Sequence, residues 1–189
     1  MRKRVLWFAA AVILVAGLAL ALRPLVSKLW PRRTYYDFVA SRGVTERLVD
    51  PALFKSERWE VSGETRDVLF VHPGAEGSTA LVYPVMLEPN STFQADLAVA
   101  PEAWTMEGDG VTFSLYVENE AGMHLLHSRY VDPKHHQEDR RWLPMRVDLA
   151  PFGEKLVRII LVVGSGPAGD RRCDWAGWGA PRLVRPSWP

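Results

Sequence analysis

Cysteine is almost absent from this chain: Cys173 is the only one among 189 residues. A single thiol excludes an intrachain disulfide and any zinc site built from several cysteines. An excess of charge of either sign is missing too. Twenty-three basic residues stand against twenty-two acidic ones, a formal net charge of +1, so nothing in the composition suggests a nucleic-acid surface. No internal repeat, low-complexity tract or amphipathic helical stripe is visible, and no G-x-S-x-G elbow marks a serine nucleophile. Arg171 and Arg172 beside Cys173 could lower its pKa, but neighbouring charges in a loop are as a rule solvated, and the thiol is read as ordinary.

Aromatic residues and punctuation are plentiful, with eight tryptophans and fourteen prolines. At the N-terminus the basic start Met1-Arg2-Lys3-Arg4 precedes an uncharged run, Val5–Leu22. That run is long enough to span a bilayer, which takes about 17–25 residues. Leu18-Ala19-Leu20-Ala21 also offers a small-x-small signal for cleavage after Ala21. Two readings stay open: a single-pass signal-anchor, or a signal peptide whose removal releases a secreted protein. Either places everything after Leu22 outside the cytoplasm. Residues 23–50 read as a juxtamembrane linker, basic and proline-bounded at Arg23–Arg33, with a short helix or covering strand over Thr34–Asp50. The Asp50–Pro51 step opens a domain over 51–189.

From there the pattern has period two. Phe93, Ala95, Leu97 and Val99 alternate with polar residues over Thr92–Val99, as do Val111, Phe113, Leu115 and Val117 over Val111–Val117, and Leu143, Met145, Val147 and Leu149 over Leu143–Leu149. Such alternation predicts half-buried strands. Weaker candidates are Arg58–Ser62, Val68–His72, Thr79–Leu87, Leu125–Val131, Val157–Val163 and Ala180–Val184. Val157–Val163 is apolar on both faces apart from Arg158, which predicts a central strand covered on both sides. With turn chemistry between them, about eight to ten strands predict an all-β, jelly-roll-like antiparallel sandwich behind one transmembrane helix.

Four stretches in this order, Pro89-Asn90-Ser91-Thr92-Phe93, Asp109-Gly110-Val111-Thr112-Phe113, Trp142 to Asp148-Leu149, and Asp174-Trp175-Ala176-Gly177-Trp178-Gly179, resemble the galactose-binding-like jelly rolls. They are most similar to the NPCBM type of carbohydrate-binding module, over roughly Arg58 to Val184. The resemblance implies a non-catalytic sandwich whose loops at one end often hold a sugar.

Gly164-Ser165-Gly166-Pro167-Ala168-Gly169 is a literal G-x-G-x-x-G after an apolar strand. A dinucleotide turn needs a helix directly behind it and further βα units. The residues from Asp170 to Gly179 make a poor helix and the chain ends at Pro189, so the segment reads as a loop between the last two strands and no cofactor is expected. His124, His127, His135 and His136 cluster, but an odd separation sends His124 and His127 to opposite strand faces. His135 and His136 lie in a polar loop, and no metal site is expected.

Sugars stack their C–H faces on aromatic rings and hydrogen-bond to planar polar groups. Trp104, in the loop Pro101–Gly110 between two strands with Glu102, Glu107 and Asp109 nearby, is the leading stacking candidate. Glu107, Asp109, Trp175 and Trp178 complete the expected ligand site, with Trp59 and Trp142 as alternatives. The carboxylates around Trp104 could also suggest a glycosidase, whose chemistry depends on their separation across a cleft, and no catalytic residue is assigned. Asn90-Ser91-Thr92 is formally a glycosylation sequon and receives no role. The expectation is a membrane-anchored, extracytoplasmic, non-catalytic module that binds glycan or another envelope component. An assembly module docking to a membrane protein is the alternative, and a glycan-active enzyme the third reading.

Overall fold

A computed structural model describes residues 31–41 and 50–187. The expected anchor Val5–Leu22 lies outside the described residues, among which no helix is long and apolar enough to cross a membrane. The body of the fold is Thr34–Arg185. Residues 31–33 and 186–187 belong to a second unit, in which Ser187 N–H donates to Pro31 O at 3.0 Å.

Ten strands carry the body: β1 (Arg32–Asp37), β2 (Phe54–Val61), β3 (Glu64–Val71), β4 (Ser78–Met86), β5 (Thr92–Val99), β6 (Val111–Asn119), β7 (Gly122–Val131), β8 (Leu143–Asp148), β9 (Leu156–Ser165) and β10 (Ala176–Pro186). They form two sheets. One runs β2-β3-β10-β5-β8, with β1 also paired to β10, and the other runs β4-β9-β6-β7. The pairings of β2 to β10 with resolved register are antiparallel. The all-β sandwich expected from the alternation is present, and each of the nine sequence-read strands has a counterpart.

Alternation places the core. Phe93, Ala95, Leu97 and Val99 of β5 face Val111, Phe113, Leu115 and Val117 of β6 in one buried cluster between the sheets. Aromatic edges lock the layers together: Trp178 of β10 meets Phe93 at 6.2 Å and Phe113 of the opposite sheet at 5.2 Å, both T-shaped, the geometry that the ring quadrupoles favour. Trp178 is fully buried. β9 lies between β4 and β6 as a central strand, and its inward residues Val157, Ile159, Leu161 and Val163 are buried. Its outer face is only partly covered, since Leu156 is 64% exposed.

Two sequence expectations change here. The sandwich draws in residues that had been read as linker: β1 pairs with β10, and Phe38 just beyond it is fully buried, edge-on to Tyr83 at 4.8 Å and Phe93 at 5.5 Å. Mixed periodicity hid this, because a lone inward aromatic has no period. The second change concerns the histidines. In the β6–β7 register Leu115 pairs with His127, Tyr116 with Leu125 and Val117 with His124, so Leu126 is the extra residue of a bulge. The bulge cancels the odd separation and sets both histidines opposite core-facing residues. Burial, followed by the charge of Arg129, lowers the His127 pKa and favours a neutral ring. No group of three or more metal-ligating side chains occurs among the described residues.

Phe38→Ala tests the enlarged core. Loss of a fully buried ring should destabilise the full-length chain by about 3–5 kcal/mol, read as a lower urea midpoint. An unchanged midpoint would return residues 34–41 to the linker.

Candidate functional site

The residues singled out for a ligand separate into two places. The first is the outer face of the β2-β3-β10-β5-β8 sheet. Strand β10 reads Ala176-Gly177-Trp178-Gly179, so the bulkiest side chain points into the core and two glycines point out. Opposite Gly177 lie Phe70 and Ala98; opposite Gly179 lie Val68 and Asp96. The glycine floor lets indoles lie directly on the sheet. Trp59, reaching in from β2, covers Gly177 so closely that a Cβ there would overlap its ring, and a Cβ on Gly179 would come 2.6 Å from Cζ3 of Trp142, which precedes β8. Trp104 joins them: Val61, Val68, Ala98 and Trp142 form a small apolar cluster against which Trp59 and Trp104 pack.

The three indole N–H groups are all satisfied. Trp59 Nε1 donates to Glu57 Oε2 at 2.9 Å, Trp104 Nε1 to Val99 O at 2.9 Å, and Trp142 Nε1 to Glu64 O at 2.8 Å. The rings are therefore held in place, and Trp59 and Trp104 are only half-buried. Trp142 is 7% exposed, with the Arg66 guanidinium 5.5 Å above its ring. Arg66 is itself held by Glu64 at 2.6 Å and Asp96 at 3.1 Å. Trp59 meets Phe70 edge-on at 6.2 Å. The result is an aromatic layer bordered by planar polar groups, Glu57, Arg66 and Asp96.

The second place is one end of the sandwich, where the loops 100–110, 132–142 and 166–175 converge. Glu107 pairs with Arg172, which also takes both oxygens of Asp170. Asp109 Oδ2 accepts the backbone N–H of Ala168, and the Tyr130 hydroxyl donates to Asp109 O. Of the G-x-G-x-x-G segment, Gly164 and Ser165 finish β9 and residues 166–169 open the loop 166–175 between β9 and β10. The backbone N–H of its Ala168 is already used by a protein carboxylate. Gly166 is required there because a Cβ would collide with the Asp109 backbone.

Behind this rim is a cleft of only about 20 Å³ lined by Val99, Ala103, Met106, Lys134, Cys173 and Asp174. That is room for about one water and too small for a sugar ring. Asp174 is 2% exposed and its Oδ2 makes no hydrogen bond. Burial first, then the charges of Asp109 and Asp170, push its carboxyl up to about 7, partly offset by Arg171. Asp132 behaves oppositely: burial would raise it, but hydrogen bonds from His135, with Nδ1 at 2.7 Å, and from Tyr130 hold it below the usual carboxylate range.

The expected site is thus partly reassembled. Trp104 belongs to the aromatic layer with Trp59 and Trp142, whereas Glu107 and Asp109 belong to the loop end and are occupied by Arg172 and Ala168. Trp175 is half-buried against the main core. Trp178 is corrected outright: it is fully buried between the sheets and offers no surface to a ligand. Sequence reasoning passed over Phe70, Arg66 and the floor glycines. The Gly-Trp-Gly alternation was the available signal for that floor.

No family model matches the chain. An uncharacterized protein of Archaeoglobus fulgidus is 37% identical over 126 residues, 65% of this chain and 32% of that protein, so the chain spans about a third of that relative's length. Among solved structures, Caldicellulosiruptor saccharolyticus CBM27-1 in complex with mannohexaose superposes with a TM-score of 0.53 at 8% identity, covering 84% of this chain and 99% of that one. The CBM51-2 and INT domains of Clostridium perfringens ZmpB, in complex with GlcNAc, match with a TM-score of 0.49 at 16% identity, covering 70% of this chain and 26% of that one. TmCBM61 in complex with β-1,4-galactotriose gives 0.45 at 16% identity, covering 82% and 88%.

Asp174 makes stability depend on pH in a direction that can be checked. Its carboxyl ionises near 3.8 when unfolded and at about 7 when folded. The folded state therefore keeps a proton that the unfolded chain loses, so this group's contribution is intact below about pH 4, falls as pH rises to 7, and is gone above. Asp174→Asn should leave the urea midpoint nearly unchanged at pH 4 and raise stability at pH 8 by on the order of 2–4 kcal/mol. Equal effects at both values would show that the carboxyl is not held protonated. The fold itself is shared with that of Caldicellulosiruptor saccharolyticus CBM27-1.

Proposed function

We propose that this protein is a non-catalytic glycan-binding module, held at the outer side of a membrane by Val5–Leu22, and that its ligand lies along the aromatic face of Trp59, Trp104 and Trp142. The observation that carries this reading is the glycine floor. Two glycines on the central strand let flat indoles cover the sheet, and an ordinary solvated sheet face has no need of such a device. Trp59 and Trp104 would stack on pyranose faces, while Glu57, Arg66 and Asp96 would meet hydroxyls at the border. Trp142 supports the layer from beneath Arg66. The cleft at the loop end is disfavoured as the seat of a sugar ring because it is too small, and Glu107, Asp109 and Asp170 are engaged within the protein. A membrane anchor would concentrate many such domains on one surface and favour multivalent capture.

A second reading, docking to a protein partner, is favoured by one feature of the other sheet. Met86, Met123, Leu125 and Leu156, each more than half exposed, fall on its outer face, where Met86 pairs with Leu156, Met123 with Glu118 and Leu125 with Tyr116.

A glycan array with the full-length chain separates the two. Trp59→Ala and Trp104→Ala should each weaken the retained glycan by about tenfold or more, the loss of one stacking contact. Leu125→Glu combined with Leu156→Glu should leave it unchanged. If no glycan is retained, the docking reading replaces this one.

A further inference from the structure

We infer that the glycan carries an anionic group, a carboxylate or a sulfate, and that an open concavity formed by His72, Gly169, Asp170, Arg171 and Arg172 receives it. This rests on the proposed aromatic face and extends it. His72 follows β3 directly, two residues beyond Phe70, and Phe70 is the ring that Trp59 meets edge-on. The Lys55 ammonium lies 5.0 Å over the Phe70 ring, so a chain leaving Trp59 toward His72 runs beside that cation before it meets the concavity. Its volume is about 410 Å³, within the range of roughly 300–1,000 Å³ usual for small-ligand sites. The neighbouring 20 Å³ cleft is not.

The donors around it are not equivalent. The fork of Arg172 is fully used, with Nε and Nη2 on Asp170 at 2.7–3.0 Å and Nη1 on Glu107. That pairing also answers the charge of Asp170, whose carboxyl is held down at about 2 by the Arg172 hydrogen bonds. The Arg171 side chain is exposed and makes no hydrogen bond or ion pair with the described residues, although its charge is felt by Asp174. Its planar fork is therefore the open one, and such a fork matches the paired oxygens of a carboxylate or sulfate. His72 completes the set. Its Nδ1 lies 2.9 Å from Pro73 O, a carbonyl that can only accept, so Nδ1 carries the hydrogen and Nε2 of the neutral ring is left to accept from a sugar hydroxyl. A neutral glycan would leave Arg171 unmatched.

The test uses the full-length chain on an array that holds neutral glycans, uronate-bearing glycans and sulfated glycans, followed by titration of the retained ones in increasing NaCl. Anionic glycans should be retained preferentially and released by salt. Methyl esterification of the uronate, or removal of the sulfate, should weaken binding by about tenfold, the scale of one charge-assisted contact. Arg171→Gln should weaken the acidic form by a similar factor and leave its neutral counterpart unaffected. Because the Arg171 side chain is exposed and makes no hydrogen bond, this variant should keep the wild-type urea midpoint at pH 4, where Asp174 is protonated and the charge of Arg171 has nothing to offset. Retention of neutral glycans alone, or an acidic glycan indifferent to Arg171→Gln, overturns the inference and leaves the aromatic face standing. Retention of no glycan of any kind overturns both.

Discussion

Everything distinctive about this sandwich depends on the alternation Gly177-Trp178-Gly179 in the strand at the centre of the larger sheet. A strand presents successive side chains to opposite faces. Here one face receives the largest side chain available and the other receives none. Inward, Trp178 bridges to Phe93 on its own sheet and Phe113 on the other, tying the layers together. Outward, the missing side chains leave a trough that Trp59 and Trp142 enter from opposite sides of the sheet. Glycine weakens an isolated strand because it is flexible and packs nothing. Strand β10 tolerates two of them because β3 and β5 hold it on both edges and indoles cover its outer face. The core and the aromatic face are two consequences of one three-residue pattern.

This explains how far the sequence could be read. Alternation is a local property, and the strands that display it, Thr92–Val99 and Val111–Val117, were legible almost to the residue. The start of β10 was not. Glycine is the ordinary mark of a turn, and the residues up to Gly179 read as part of the loop before the last strand. Only neighbouring strands, placed there by contacts distant in sequence, turn the same residues into a buried ladder. Phe38 was missed for the same reason, since one inward ring has no period. The pair His124 and His127 was misplaced by Leu126, because a one-residue bulge reverses every face assignment beyond it. The candidate site suffered similarly. Trp104 was singled out from its loop, but its companions in the aromatic layer come from β2 and from the approach to β8, residues 59 and 142. No spacing rule would have joined them to it.

The glycine-rich loop shows why a motif needs its surroundings. In a dinucleotide fold the backbone N–H groups after the glycines converge on a pyrophosphate at the start of a helix. Here the same local freedom serves an internal anion. Gly166 lets the loop approach the Asp109 backbone, and Ala168 N–H donates to the Asp109 carboxylate. The protein has supplied its own acceptor, and the loop becomes a strut that holds residues 166–175 against 107–110.

That strut divides the charges of the loop end into two classes. Glu107, Asp109, Asp170 and Arg172 are spent on one another and on the backbone, so their electrostatic energy goes into the position of the loop. Asp174 is sealed beneath them, where solvent cannot support its charge and a proton is retained instead. Arg171 belongs to neither group. It stands on a loop that its neighbours have already immobilised, so its guanidinium can meet an anion without the cost of ordering the backbone that carries it. Pre-organisation of this kind raises affinity by removing an entropic loss rather than by adding contacts. On the proposed reading, an aromatic surface with such an unspent cation near it would favour a ligand that is apolar along its length and charged at one point.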